Sequence, residues 1–269
     1  MLNLSDDDFD NMELVDGALA LNNAINSDTR VEWAETEMAR LLDEAKLALA
    51  NENNEQQRFD AFIHLFYQEW KFRGDRDAYF DSSNAFIDKV LERRKGVPVS
   101  LGALLLYFGT KLGFPLKGIN FPTQFLVRVS WPEQAPQYIN PFSGEYVSQH
   151  TLQAWLIGLK GPLSKLKPEH LKEADHPTII GRWLALLKSA LLREERYTLA
   201  LRCTDLALTF VPDDPYEIRD RGFIYQQLDC NQVAISDYQY FIEHCPDDPA
   251  AELLKTQVNA LSHSDVTLH

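Results

Sequence analysis

The stretch PVSLGALLLYFGTKLGFPLKGINFPTQFLVRV, residues 98–129, contains an apolar helix followed by two short strands. Pro98 suits a first helical turn, because the N–H that proline lacks would have no partner there. Gly113 ends the helix, and Pro122 interrupts the chain before the alternating residues 125–129. An apolar helix followed directly by strands predicts a domain that combines helices with a sheet.

The segments on either side extend this pattern. Helical periodicity covers residues 11–50, 56–72 and 84–94, and Gly74 is the expected C-cap of the second of these segments. Residues 116–147 alternate short strands with proline and glycine turns, which predicts an antiparallel sheet with helices packed on one side. Helical spacing returns at Ser148 and gives way to a linker-like stretch. We therefore predict an α+β, helix-rich domain with a small antiparallel sheet over residues 1–170.

A repeat appears in the C-terminal third. The tetrapeptide PDDP occurs at 212–215 and again at 246–249, an offset of 34 residues that is typical of tetratricopeptide repeats. Small residues let two helices of a hairpin approach, and aromatic residues fill the space between them. The predicted repeat-packing residues are Ala200, Ala207, Gly222, Tyr225, Ala234, Tyr238 and Phe241. We predict an all-α tetratricopeptide-like unit over residues 176–262 that ends in a capping helix.

Charge and hydropathy restrict the possible partners and location. The formal net charge is -14, which argues against nucleic acid and against an anionic membrane surface as partners. The sequence contains no run of about twenty apolar residues, the length that a helix needs to span a bilayer. Its acidic N-terminus does not resemble a signal peptide. The composition predicts a globular cytoplasmic protein.

Cysteine and histidine spacing gives no indication of a metal site or of a cofactor. The three cysteines, Cys203, Cys230 and Cys245, form no CxxC pair, and we expect them to be reduced thiols in the core. The seven histidines form neither HxxxH nor HxH. We expect no metal and no cofactor.

The order of elements after residue 95 is also found in certain enzymes. A helix N-terminus is followed by a strand that begins at Gln124 and by a later strand that ends at Asn140. Cysteine hydrolases and transglutaminases place a nucleophile, a base and an orienting carboxylate in this order. In this chain neither polar residue is a base.

The segments FRGDRDAYFDSSNAFIDKVLERRKGVPVSLGALLLYFGTKLGFPLKGINFPTQFLVRV and INPFSGE, followed by the repeats, closely resemble the bacterial SirB-type, or YchA-like, family. The resemblance covers about residues 10–265 and implies a transglutaminase-like (papain-like) domain joined to tetratricopeptide repeats. It places Pro98 at the cysteine position, Gln124 at the histidine position and Asn140 at the acidic position. These replacements imply a degenerate triad and an inactive relative, because no thiolate, proton acceptor or carboxylate remains.

Three functions remain open at this stage. The first is a non-catalytic interaction or regulatory protein that binds a protein or peptide, which the acidic balance predicts to be basic or apolar. The second is a hydrolase or acyl transferase that uses Ser100 or a displaced histidine such as His150. The third is a peptide or small-ligand module that uses a remnant cleft of Ser100, Gln124 and Asn140, in which the two amides hydrogen-bond to each other. We expect His64 to be a structural histidine with satisfied hydrogen bonds.

Overall fold

The computed structural model describes residues 12–266 of the chain. The chain divides into two compact units between Trp183 and Leu184, whereas the sequence pattern suggested a boundary between 170 and 176. The difference arises within helix α7, numbered in chain order below, which runs over His176–Arg193. Its first turns belong to the first unit, because Ile179 lies against Gly118 and the Trp183 indole donates a hydrogen bond to the Ala85 carbonyl over 2.9 Å.

The first unit begins with three helices: α1 (Leu14–Ile25), α2 (Val31–Ala48) and α3 (Glu55–His64). The Asn54 side chain accepts hydrogen bonds from two backbone N–H groups of the first turn and so caps α3. A π-helical turn, Leu65–Glu69, continues α3. The expectation that Gly74 caps this helix is wrong. The helix ends five residues before Gly74, and Lys71 takes the left-handed conformation that usually favours glycine there.

The next segment, residues 73–96, leads to the apolar helix that begins at Pro98. Strand β1 (Arg73–Gly74) pairs in parallel with β2 (Lys95–Gly96), and α4 (Ile87–Arg93) lies between them in sequence. A short 3-10 turn, Ser82–Asn84, precedes α4. Helix α5 (Pro98–Lys111) follows β2 after one residue and begins with proline, as the sequence predicts.

The sheet contains β3 (Leu116–Asn120), β4 (Phe125–Val129), β5 (Gln137–Asn140) and β6 (Glu145–Val147) in that order. All three pairings are antiparallel, which confirms the predicted sheet. The Phe125 ring packs against Gly102 of α5 on one face. Leu126 belongs to a core cluster on the opposite face, where α6 (Gln149–Lys160) contributes Leu152 and Leu156. Helices therefore cover both faces, and the expectation of one covered face is wrong.

The second unit contains the remainder of α7 and four further helices: α8 (Tyr197–Phe210), α9 (Pro215–Gln227), α10 (Asn231–His244) and α11 (Pro249–Val266). The repeated PDDP accounts for two helix starts. Asp214 and Asp248 each accept a hydrogen bond from a backbone N–H two residues ahead, and the prolines that follow them begin α9 and α11. The repeat thus encodes an N-cap followed by proline at the first helical position.

The predicted repeat-packing residues lie largely inside this unit. Five of them are buried, namely Ala200, Gly222, Ala234, Tyr238 and Phe241, and Ala207 and Tyr225 are half-buried. A Cβ at Gly222 would lie 3.0 Å from both the Asp237 Cβ and the Tyr238 ring. The missing side chain at Gly222 therefore allows α9 and α10 to approach each other closely.

The cysteines differ from their prediction. All three are free, but only Cys203 is buried, while Cys230 is exposed and Cys245 is half-buried. Cys203 lies on α8 and is buried inside the helical unit, whereas Cys230 lies in the connection before α10. Burial raises the pKa of the Cys203 thiol, which disfavours the reactive thiolate.

We expect alkylation to distinguish these thiols. In the native chain iodoacetamide modifies Cys230 first, and Cys203 reacts only after unfolding, because its thiol is both inaccessible and protonated. Mass spectrometry of peptides from native and urea-treated protein measures the order. Modification of Cys203 at the same rate as Cys230 under native conditions would contradict the packing of α8.

Candidate functional site

The N-terminus of α5 holds two predicted site residues, Pro98 and Ser100, and both are buried. The Ser100 hydroxyl donates to the Asn84 carbonyl over 2.6 Å and accepts the Val97 N–H over 3.1 Å. It thereby ties the start of α5 to the 3-10 turn before α4. The hydroxyl has backbone partners and no base beside it, which is the arrangement of a structural serine.

Asn140 at the end of β5 makes a local turn. Its side-chain oxygen accepts the Phe142 N–H over 3.0 Å, and its carbonyl accepts the Gly144 N–H over 2.8 Å. Side chains alternate along a strand, so Asn140 shares the sheet face of Tyr138, which belongs to the cluster on the α6 side. The next residue, Pro141, packs towards Gly102 of α5. Asn140 therefore does not face the start of α5.

Gln124 lies in the bend immediately before β4. Its side-chain nitrogen is buried and has no hydrogen-bond partner within the described chain, and the same holds for the Thr123 hydroxyl. No hydrogen bond joins Gln124 to Asn140 within residues 12–266. The expectation that these two amides hydrogen-bond to each other is therefore wrong. The three positions that match a catalytic triad are consequently not joined into one hydrogen-bonded site.

An arginine that the sequence analysis did not select lies beside this bend. Arg182 of α7 donates to the Asn120 side-chain oxygen over 2.6 Å and to the Phe121 carbonyl over 2.7 Å. Burial lowers the pKa of its guanidinium, and the described residues provide it with no carboxylate partner. In the sequence, Arg182 could have been noticed as an isolated arginine in the apolar run IIGRWLALL, where a charged residue is unusual. Through these two uncharged acceptors, Arg182 fixes the end of β3, where the chain enters the bend.

The two candidate histidines lie at the surface. His150 is exposed in the first turn of α6, so the structure does not place it beside the buried Ser100. His64 is also exposed, with its Nδ1 atom 3.5 Å from a Glu69 carboxylate oxygen. The expectation that His64 is a structural histidine with satisfied hydrogen bonds is therefore wrong, because its exposed ring forms no hydrogen bond within residues 12–266.

The main cavities lie elsewhere in the first unit. One of about 700 Å³ lies between residues 67–77 and the turn 142–145, with Lys95 in its wall. A second, of about 290 Å³, is bordered by α5 and β3. The proposed remnant-cleft residues Ser100, Gln124 and Asn140 line neither cavity. Within residues 12–266, no group of three His, Cys, Asp or Glu side chains could hold a metal ion, and no helix combines the length and apolarity of a membrane span.

Replacing Ser100 by alanine is expected to lower the free energy of unfolding by about 2 kcal/mol, because the Val97 N–H and the Asn84 carbonyl would remain buried without this partner. Urea unfolding followed by tryptophan fluorescence measures the loss. Ser164→Ala is the control, because the Ser164 hydroxyl has no such buried role. Equal stability of the Ser100 variant and the wild type would contradict this structural assignment.

Comparison with known proteins agrees with this organisation. Residues 32–185 match the transglutaminase-like superfamily, and residues 187–259 match the tetratricopeptide repeat. The chain is 77% identical to a UPF0162 protein of Vibrio cholerae, 40% identical to protein SirB1 of Salmonella typhimurium and 40% identical to the UPF0162 protein YchA of Escherichia coli K12, in each case over the full length of both chains. No solved structure shows significant similarity to it. The chain therefore belongs to the SirB1 and YchA family, in which a transglutaminase-like domain precedes tetratricopeptide repeats.

Proposed function

We propose that this protein is a non-catalytic, cytoplasmic binding protein in which the transglutaminase-like domain has lost its chemistry and the repeats bind a protein partner. The structure at the start of α5 supports the non-catalytic part of this proposal. The position that matches the nucleophile is Pro98, and the nearby hydroxyl of Ser100 is buried on backbone atoms. Neither residue offers an activated nucleophile.

The position of Asn140 supports the same proposal. Its side-chain oxygen is occupied by the Phe142 N–H, and it lies on the sheet face that α6 covers. An orienting carboxylate would have to reach a base on the neighbouring strand, and Gln124 is not a base. Every replacement therefore removes a group that acyl transfer requires.

The repeat unit offers a surface for a partner. Tyr216, Arg219 and Phe223 follow helical spacing along α9, and the rings of Tyr216 and Phe223 are 47% and 43% exposed. The Arg219 guanidinium lies 5.3 Å from the centre of the Tyr216 ring. Tyrosine and arginine are enriched among the residues that dominate binding energy at protein interfaces. We call these three residues the α9 stripe.

The charge of this unit indicates the chemistry of the partner. Residues 184–269 contain 7 Lys and Arg against 14 Asp and Glu. This net negative charge favours a partner segment with basic residues, and the exposed rings of the stripe favour apolar ones. We therefore propose a basic peptide segment with apolar anchors as the partner class.

A pull-down with the full-length chain tests the binding half. Phe223→Ala removes an exposed ring that makes no ring contact within the described chain, so the repeat should remain folded. Leu163→Ala is the matched control, because Leu163 is 93% exposed in the first unit. Loss of the same captured protein with Phe223→Ala but not with Leu163→Ala supports the proposal. Retention of every specific partner by both variants would contradict it.

Covalent labelling tests the non-catalytic half. A fluorophosphonate probe modifies activated serines, and we expect no adduct at Ser100 in the folded chain, since its hydroxyl is buried and lacks a base. Peptide mass spectrometry locates any adduct. An adduct on Ser100 in the native chain that disappears after denaturation would show an activated nucleophile and overturn this half alone.

A further inference from the structure

The cavity of about 700 Å³ in the first unit has an unusual lining. We call it the 67–77 cavity. Its walls include the aromatic residues Tyr67, Phe72 and Phe142, and the Phe142 ring lies directly over Gly74. Its volume falls within the range of about 300–1,000 Å³ that is usual for small-ligand sites. None of the triad-matching residues contributes to it.

Three cations project from one short segment of its wall. Lys71, Arg73 and Arg76 are all exposed. Within residues 12–266 none of their side chains forms an ion pair or a hydrogen bond. This is notable in a chain with a net charge of -14, where acidic partners are abundant. The segment therefore keeps three positive charges available to an external anion.

A fourth cation faces them from β2. Lys95 Nζ lies 3.5 Å from Asp75, but the other oxygen of this buried carboxylate already accepts the Arg93 guanidinium over 2.7 Å. Asp75 is thus shared between two cations and cannot neutralise the segment. The remaining acidic residues of the wall are Asp77 and Glu145, and Glu145 accepts the Ser143 hydroxyl over 3.0 Å. The lining carries more accessible positive than negative charge.

The backbone at Lys71 provides a second, independent observation. Lys71 has φ of 62°, in the left-handed region where glycine is favoured and a side chain costs energy. The position follows the π-helical turn, which the Phe72 N–H closes on the Phe66 carbonyl over 3.1 Å. Glycine would satisfy this helix end without strain. Lysine therefore occupies this position at a cost in backbone energy, and its side chain forms part of the cavity wall.

We infer that the 67–77 cavity binds a small ligand that carries at least two oxyanion groups, phosphate or carboxylate. The two arginines present planar forks that match either group bidentately, and the two lysines supply point charges. Of the aromatic residues, the partly exposed rings of Tyr67 and Phe142 pack against the apolar part of the ligand, whereas Phe72 is fully buried behind the wall. This site goes beyond the proposed function, because it uses neither the α9 stripe nor the triad-matching residues.

Isothermal titration calorimetry with the full-length chain tests this inference. The two probes are inorganic pyrophosphate and citrate, each titrated at matched ionic strength, so that phosphate and carboxylate preference are measured separately. We expect saturable binding of at least one probe. Replacing Arg73 and Arg76 together by glutamine is expected to weaken it by at least about tenfold, since each charge-assisted hydrogen bond contributes a factor of this order.

Lys71→Gly separates binding from folding. Glycine fits the backbone at φ of 62°, so the melting temperature should stay equal or rise while affinity for the probe falls. Lys165→Gln is the control, because Lys165 is an exposed lysine outside the cavity. No saturable binding of either probe, or equal affinity in wild type and the arginine variant, overturns the inference. Tighter binding of pyrophosphate or of citrate supports it and identifies the oxyanion.

Discussion

Replacing Phe125 by alanine is expected to lower the free energy of unfolding of the first unit by about 3–5 kcal/mol, the usual cost of deleting a buried aromatic ring. Phe125 is 1% exposed at the start of β4. Its ring occupies the space beside two residues without side chains, Gly102 of α5 and Gly118 of β3. Alanine would leave a void between the helix and the sheet that the glycines cannot fill.

Tryptophan fluorescence during urea unfolding measures this loss. All five tryptophans lie in residues 33–183, so the signal reports on the first unit alone. Val147→Ala is the control, because Val147 is only partly buried at the edge of the sheet. A loss no larger than that of the control would contradict the packing of Phe125.

Gly102→Ala tests the same contact from the helix side. Alanine normally favours a helix, but a Cβ at position 102 would overlap the Phe125 ring, so we expect this variant to be destabilised by about 1–3 kcal/mol. In a Phe125→Leu background the same change should cost less, because the smaller side chain relieves the overlap. Additive effects in this double-mutant cycle would show that the two residues do not interact.

Replacing Asp237 by alanine is expected to destabilise the repeat unit by about 2 kcal/mol, because it removes two charge-assisted hydrogen bonds of a partly buried ion pair and leaves the Arg221 guanidinium without this partner. Asp237 is 5% exposed and accepts two hydrogen bonds from Arg221, at 2.8 Å to Nε and 2.7 Å to Nη2. These hydrogen bonds raise the pKa of Arg221. A guanidinium is protonated at neutral pH even without an acidic neighbour, so Arg221 stays charged when Asp237 is removed. The pair joins α9 to α10 where Gly222 allows their close approach.

Hydrogen exchange of the full-length chain measures this second loss, because the repeat unit contains no tryptophan. We expect faster exchange across α9 and α10 in Asp237→Ala, with exchange in the sheet unchanged. Asp247→Ala is the control, since Asp247 is exposed in the connection between α10 and α11 and has an ordinary backbone conformation. The double variant Asp237→Ala with Arg221→Ala should recover part of the loss, because no charge is then left unpaired. A double variant less stable than Asp237→Ala would contradict this explanation.

The fold was predictable because its signals are local. The proline at the start of α5, the alternation in β4 and the PDDP repeat each encode a helix cap, a strand or a helix start within a few residues. Two predictions were wrong, Gly74 as a helix C-cap and Cys230 as a core thiol, and both have a physical reason. The helix end at Lys71 adopts a glycine-like backbone without glycine, and Cys230 lies in a connection whose exposure no local pattern indicates.

The sequence by itself determined the two-part architecture. It also shows that Pro98, Gln124 and Asn140, which the family resemblance matches to a triad, supply neither thiolate, base nor carboxylate. Only the tertiary structure decided that Ser100 is tied to backbone atoms and that Asn140 lies on the α6 side of the sheet. It also brought Lys95 to the same cavity as Lys71. These features depend on contacts between residues distant in sequence, whose geometry is set by packing.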